Sequence, residues 1–308
     1  MTLKTFHKRK AFVLVSVLMM GVLLISCATA FTWFVRQQVR GVGRERVNLT
    51  ARSMAQVLAS SVMSALSAVS TRVNYDSPSQ RWYMPYVIPI EDLGIWVVHV
   101  TPLDDKIPLG NLFLPDGNTL RGEFKNVWHD MWEKILPYNT VEDLVLDFLD
   151  RNTRPRVGST ERDDFINRSP YDMSELLILS NDIDTGILYG TGERRGLMDY
   201  CTIYSDGKIN LNVAPLHVLE ILPGLDAGSI AERLVQDRTE NPLESMNDLQ
   251  KIPGASAKTS TQLTNIAGFK SRYFQMKIES LTDEGESGTS FNIIFDRTTR
   301  KIVRWEES

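Results

Sequence analysis

From Ala11 to Val35 the chain carries no charged residue and is rich in Val, Leu, Met and Phe. That run is long enough to cross a hydrocarbon core of about 30 Å as a helix, because only a helix satisfies every backbone polar group within one segment. Beyond it, Arg36 to Val73 contains no proline, and Met54, Leu58, Ser61, Ala65 and Val69 fall near one face. The helix is therefore expected to continue past the span, with Gly41 and Gly43 as the place for a bend. Proline and polar residues from Ser77 to Pro89 end the pattern. Ile95 to Val100 then alternates as a strand. Val127 to Leu136, Val141 to Leu149 and Met173 to Leu179 space their apolar residues by three or four, as helices do. Tyr273 to Ser280, Phe291 to Phe295 and Lys301 to Trp305 return to alternation. The order is helix, sheet, helical insertion, sheet, an α+β chain.

Charge sharpens the N-terminus. Lys4, Lys8, Arg9 and Lys10 precede the apolar run, and positive residues on that side keep the start cytoplasmic and the bulk of the chain outside. Removing the first eleven residues takes four of the 34 basic residues and none of the 38 acidic ones, leaving a formal charge of −8. A body of that sign repels polyphosphates, which counts against general nucleic-acid binding. A cleaved secretory signal is a weaker reading, since its apolar centre is typically about 7–15 residues. Leu24-Ile25-Ser26-Cys27 resembles a lipobox, which makes lipidation at Cys27 an alternative. Lys8-Arg9-Lys10-Ala11-Phe12 with Val13 to Val17 resembles the cleavage region of type IV prepilins and pseudopilins, with the cut and N-methylation at Ala11-Phe12. Ala11 replaces the usual glycine there, and Ser16 stands where that family usually has glutamate. A buried carboxylate is costly without a partner, so a subunit lacking it need not be inserted beneath another in the usual way.

The candidate chemistry is sparse. Cys27 and Cys201 are too far apart in kind to pair, and His7, His99, His129 and His217 are scattered outside any catalytic motif. His99 reads as structural. Neither a P-loop nor a Gly-x-Ser-x-Gly elbow occurs, so no enzyme is indicated. Asp150, Asn152, Glu161 and Asp164 are hard oxygen donors of the type calcium favours. Their spacing is not that of an EF-hand, and a solvated acidic loop is the alternative. Leu219 to Ala227 parallels Leu249 to Ala257, each with a Pro-Gly turn, and helices are expected over Ala227–Val235 and Ala257–Ile266. Asn212 reads as an N-cap ahead of Pro215. The duplicated unit resembles helix-hairpin-helix modules, some of which present backbone amides to DNA phosphate. Asp226 puts a negative charge where that phosphate would approach.

The prepilin-like start, Leu146 to Asp150, Gly158 with Glu161, and Lys208-Ile209-Asn210-Leu211-Asn212-Val213-Ala214-Pro215 together resemble general secretion pathway protein K, the K-type minor pseudopilin of type II secretion systems. Absence of the glutamate at Ser16 is a feature of that subunit. The resemblance implies a pilin-like antiparallel sheet interrupted by a large α-helical insertion of helix-hairpin-helix or SAM-like character. Its expected divisions are a leader over 1–11, the transmembrane part of the helix over 12–35 and its periplasmic continuation over 36–73. First strands would occupy 74–117, the insertion 118–266 and the last strands 267–308. It also implies an inner-membrane single-pass protein with a periplasmic body at the pseudopilus tip. Its partners would be the I-type and J-type minor pseudopilins, the prepilin peptidase and the inner-membrane secretion platform, with no nucleic acid. Calcium binding in the helical part is implied as well. The remaining readings are a membrane-anchored helix-hairpin-helix DNA-binding protein and a lipoprotein.

Overall fold

A computed structural model describes residues 4–91, 94–137, 141–226, 229–281 and 287–308, and of these the side chains of 4–16 and 39–47 lie outside the description. The chain divides into two compact units, residues 1–57 and 58–308. One helix, α1 (Lys4–Ser70), begins in the first and ends in the second. Its backbone stays helical through Gly41 and Gly43. Within the first unit, Val17–Gln38 has a mean hydropathy of 2.0 and is long and apolar enough to cross a membrane. Ala11, Phe12 and Ser16 have helical backbone, while their side chains lie outside the described ones.

In the second unit the buried face of α1 is Ala59, Leu66 and Ser67, and Ser61 and Ala65 are exposed. The face expected from sequence is thus turned by about one residue, or roughly 100° of helix. The spacing of Met54, Leu58, Ser61, Ala65 and Val69 suits a helix, but the buried positions are the neighbouring Ala59, Leu66 and Ser67. The sheet that follows is fully antiparallel, in the order β1 (Tyr86–Ile90), β2 (Gly94–Pro102), β7 (Tyr273–Leu281), β8 (Ser287–Asp296), β9 (Lys301–Glu307). β1 begins in the Ser77-to-Pro89 stretch that ends the helical pattern, within the range 74–117 expected to hold the first strands. Pro89 is tolerated because β1 is an edge strand, where a missing N–H leaves no ladder bond open. Trp96, Val98 and Val100 alternate onto the buried face with Phe274, Met276, Ile278, Phe291, Ile293 and Phe295. Phe274 stacks on Phe295 at 5.6 Å and receives Trp82 edge-on at 5.4 Å, contacts that add a little beyond their area.

Between β2 and β7 the chain builds a second core. Here β3 (Ile107–Pro108), α2 (Lys125–Ile135), α3 (Val141–Leu149), α4 (Thr185–Tyr189), α5 (Leu197–Tyr200) and β4 (Cys201–Thr202) lead to β5 (Ile209–Asn210). Then come α6 (Leu216–Leu219), α7 (Ile230–Asp237), α8 (Met246–Leu249), α9 (Ala257–Leu263) and β6 (Ala267–Gly268). Met173–Leu179 is a 3-10 helix rather than an α-helix, N-capped by Asp172, which accepts from Ser174 N. A single apolar cluster runs from Ile107 to Ala267 and includes Phe124, Trp128, Trp132, Phe148 and Leu222. Burial of such side chains stabilises by about 1.5–3 kcal/mol each, so the insertion has its own core. The parallel pairs β3–β4 and β5–β6 close it at its base.

Candidate functional site

The base of the insertion is a node of buried polar groups. Asp76 receives Arg297 bidentately at 2.7 and 2.8 Å and the Ser271 N–H at 2.7 Å. Asp104 accepts the N–H groups of Asp206, Arg272 and Tyr273 at 3.0, 2.7 and 2.9 Å. Burial nevertheless pushes its carboxyl up to about 7, against the pull of those donors. Asn210 sits between the two acids: its N–H donates to the Asp104 carbonyl at 2.7 Å and its Nδ2 to Ser271 Oγ at 2.9 Å. The same side chain accepts the Asn212 N–H at 3.0 Å.

Asn212 is not a helix cap. α6 starts four residues later, with Pro215 at the cap position. Instead the Asn212 amide pairs with the backbone of Leu243 in both directions, Nδ2 donating to its carbonyl and Oδ1 accepting its N–H, each at 2.8 Å. A buried amide satisfied this way acts like one more backbone unit. Arg238, at the end of α7, donates to the Leu211 and Ala214 carbonyls at 2.8 and 2.6 Å, and burial lowers its pKa to about 10. The Ile209-to-Pro215 segment is therefore the hub that joins the helical insertion to the sheet.

The two Pro-Gly turns pack on each other's helices. Gly224 and Gly254 have φ of +80° and +96°, the left-handed region that favours glycine. A Cβ at Gly224 would lie 3.0 Å from Thr259 of α9, and one at Gly254 would lie 3.2 Å from Ile230 of α7. α7 starts at Ile230, later than expected, after Ser229 in a left-handed conformation; residues 227–228 lie outside the description. α9 ends at Leu263, three residues early. In the first turn the Gly224 N–H is taken by Asp226 Oδ1 at 3.1 Å. The carboxylate occupies a backbone donor of the kind a phosphate would need.

The acidic loop is more compact than its sequence suggested. Asp147 and Asp150 are almost wholly buried, and both are bonded to Arg156 Nη1, Asp150 at 2.6 Å. Arg156 Nη2 donates to the Asn118 carbonyl at 2.9 Å. Glu161 accepts a bond of 3.3 Å from Asn167 through Oε1, while its Oε2 is buried without a partner. Asn118 Oδ1, Ser159 Oγ and Asn167 Oδ1 are buried and unpartnered too. Burial raises the carboxyl of Glu161, with Asp147 and Asp150 adding to the effect. Asp150 is also raised by burial, in spite of Arg156. Of the four expected donors, Asp150 and Glu161 belong to this cluster. Asn152 instead accepts the Arg154 N–H at 2.8 Å, and exposed Asp164 pairs with Arg162 at 3.3 Å. Among the described residues no group of three or more His, Cys, Asp or Glu is arranged to hold a metal ion. Asp147 was overlooked as a donor because its place inside α3 reads as a helix position.

A helix-hairpin-helix motif family matches residues 205–270, the segment that holds the duplicated turns. No curated protein matches the chain by sequence. Among solved structures, a chain of the GspK-GspI-GspJ complex from the enterotoxigenic Escherichia coli type 2 secretion system superposes with a TM-score of 0.65. The match covers 88% of this chain and 99% of that chain at 16% identity. The two chains share a fold. That fold is the α+β arrangement expected from sequence: an apolar N-terminal helix, an antiparallel sheet and many helices. The complex it comes from includes the K-type protein that the sequence resembles.

Proposed function

We propose that this chain is a K-type minor pseudopilin of a type II secretion system. The observation that carries the reading is the fold shared over 88% of the chain at a TM-score of 0.65. In this role the chain acts by assembly and not by catalysis. Its N-terminal helix sits in the inner membrane as a single span, with Lys4, Lys8, Arg9 and Lys10 on the cytoplasmic side and the acidic body in the periplasm. I-type and J-type minor pseudopilins are its expected partners, as they are named with the K-type protein in the similar complex. The prepilin peptidase would process it at Ala11-Phe12, and the inner-membrane secretion platform would receive it.

The finer reading is that it caps or initiates the pseudopilus tip. Ser16 in place of a carboxylate removes a reason to be inserted beneath another subunit, and the broad insertion blocks addition above it. Replacing Ser16 with glutamate tests this. Shift of the variant from tip to shaft supports the reading, and unchanged tip placement contradicts it. The mature N-terminal mass tests the processing: a methylated Phe12 is expected, whereas a lipidated Cys27 points to the lipoprotein alternative.

Calcium is the proposed ligand of the acidic loop. Asp147 and Asp150 share the Arg156 guanidinium, and four buried oxygens, Asn118 Oδ1, Ser159 Oγ, Glu161 Oε2 and Asn167 Oδ1, lack a partner. Such a surplus of hard oxygen donors fits a calcium ion on the Glu161 side, with Arg156 already serving Asp147. The ion would fix the connection after α3. Calcium is expected to raise the melting temperature of the full chain in detergent above that in EGTA, and Glu161→Gln to remove the difference. Equal melting with and without calcium would contradict the calcium proposal.

A further inference from the structure

A cleft of about 660 Å³ opens on the insertion between the loop Gly110–Gly117 and the turn at Ser169–Tyr171. It is lined by Arg121, Arg151 and Arg168 and by no carboxylate, on a chain whose formal charge is −4. Two of the arginines are neutralised from outside the lining. Arg121 pairs with Glu123 at 2.7 Å and Arg168 with Glu175 at 3.0 Å. The guanidinium of Arg151 has no acidic partner among the described residues.

The position of Arg151 is built by its surroundings. Its side chain lies across Gly117, where a Cβ would be 2.3 Å from Arg151 Cδ, and its N–H donates to the Gly117 carbonyl at 3.0 Å. Gly117 has φ of +75°, a conformation that L side chains rarely adopt. Opposite, Tyr171 is 75% exposed although the Arg168 guanidinium stacks over its ring at 4.2 Å. Leu114 is 44% exposed in the same cleft. Tyrosine and arginine are enriched among the residues that dominate binding energy at protein interfaces, and here a solvent-facing tyrosine held by one arginine stands beside a second arginine with no acidic partner.

We infer that this cleft docks an acidic segment of a partner protein, a carboxylate on Arg151 flanked by an apolar side chain on Tyr171 and Leu114. Charge complementarity selects this occupant: the uncompensated cation prefers a carboxylate, and the apolar walls favour a peptide over a small hydrated anion. The inference is independent of the secretion reading.

Calorimetric titration of the full chain in detergent with a capped hexapeptide that alternates glutamate with leucine and phenylalanine tests it, with the glutamine analogue as control. The glutamate peptide is expected to bind with Kd of about 1 mM or tighter, and its glutamine analogue roughly tenfold more weakly. Arg151→Glu should abolish the preference, and Arg151→Lys should keep part of it. Because Arg151 is exposed, an unchanged melting temperature establishes that the variants are folded. Equal affinity for the two peptides, full retention of binding in Arg151→Glu, or no binding by about 5 mM overturns the proposal. So does complete displacement of the peptide by equimolar inorganic phosphate, which would mark the cleft as an anion site.

Discussion

Replacing Arg297 with methionine should be among the most damaging single changes to this fold. The Arg297 side chain is almost wholly buried, pairs bidentately with Asp76, donates to the Ser271 carbonyl and lies over the Phe274 ring at 4.9 Å. Methionine keeps the apolar contact with Phe274 and removes the charge. Asp76 would then be a buried carboxylate with only the Ser271 N–H, a loss of about 3–5 kcal/mol. Loss of the donor to Ser271 lies within the same disruption, so the total is set near 4 kcal/mol. With a urea slope of about 2 kcal/mol/M, the unfolding midpoint should fall by roughly 2 M. Urea titration of the full chain in detergent, followed by tryptophan fluorescence, reads this, since buried Trp82 packs edge-on against Phe274, the ring beneath Arg297. Asp76→Leu should cost a similar amount by stranding the guanidinium. The double variant should cost at least about 2 kcal/mol less than the singles combined, because the uncompensated charge is gone. A single-variant cost under about 1 kcal/mol, or strict additivity, would refute the claim that this pair holds the junction.

Asp104 predicts a pH dependence. Its folded pKa is near 7 and its unfolded value near 3.8, so between those values the folded state holds a proton that the unfolded state has released. Its contribution is full below about pH 4 and is lost as pH rises to about 7, at up to ~1.4 kcal/mol per pH unit. Melting curves of Asp104→Asn should show a flatter slope over that window, and an unchanged slope would contradict the assignment. Asn212→Ala should cost about 2–4 kcal/mol, since both the N–H and the carbonyl of Leu243 are left buried and unpaired; denaturation below 1 kcal/mol of loss would count against the hub. Gly196→Ala should fail to fold natively, because its Cβ would lie 2.1 Å from the Gly190 backbone nitrogen, and a native-like melt would disprove that close approach.

Legibility in the sequence followed the locality of the signal. The uncharged run to Val35, the strands at Ile95 and Tyr273, and the paired Pro-Gly turns are all set by neighbours in sequence, and each appears close to its expected place. What misled was decided by contacts between distant residues. The buried face of α1 depends on which of its side chains pack against the rest of the second unit. Asn212 looked like a cap because a proline follows it. Its partner, Leu243, is 31 residues away and carries no local mark. In the acidic loop the donors Asp150 and Glu161 were visible, but Asn152 and Asp164 turn to nearby partners. Arg156 and Asp147 enter only through the fold.

The proposed role implies assembly with I-type and J-type minor pseudopilins. Co-expression of the full chain with the I-type and J-type subunits and the prepilin peptidase of its own organism, followed by purification through this chain, measures it directly. The expected result is a stable three-protein complex in which this chain begins at methylated Phe12. Recovery of this chain alone, with both partners expressed and processed, would contradict it.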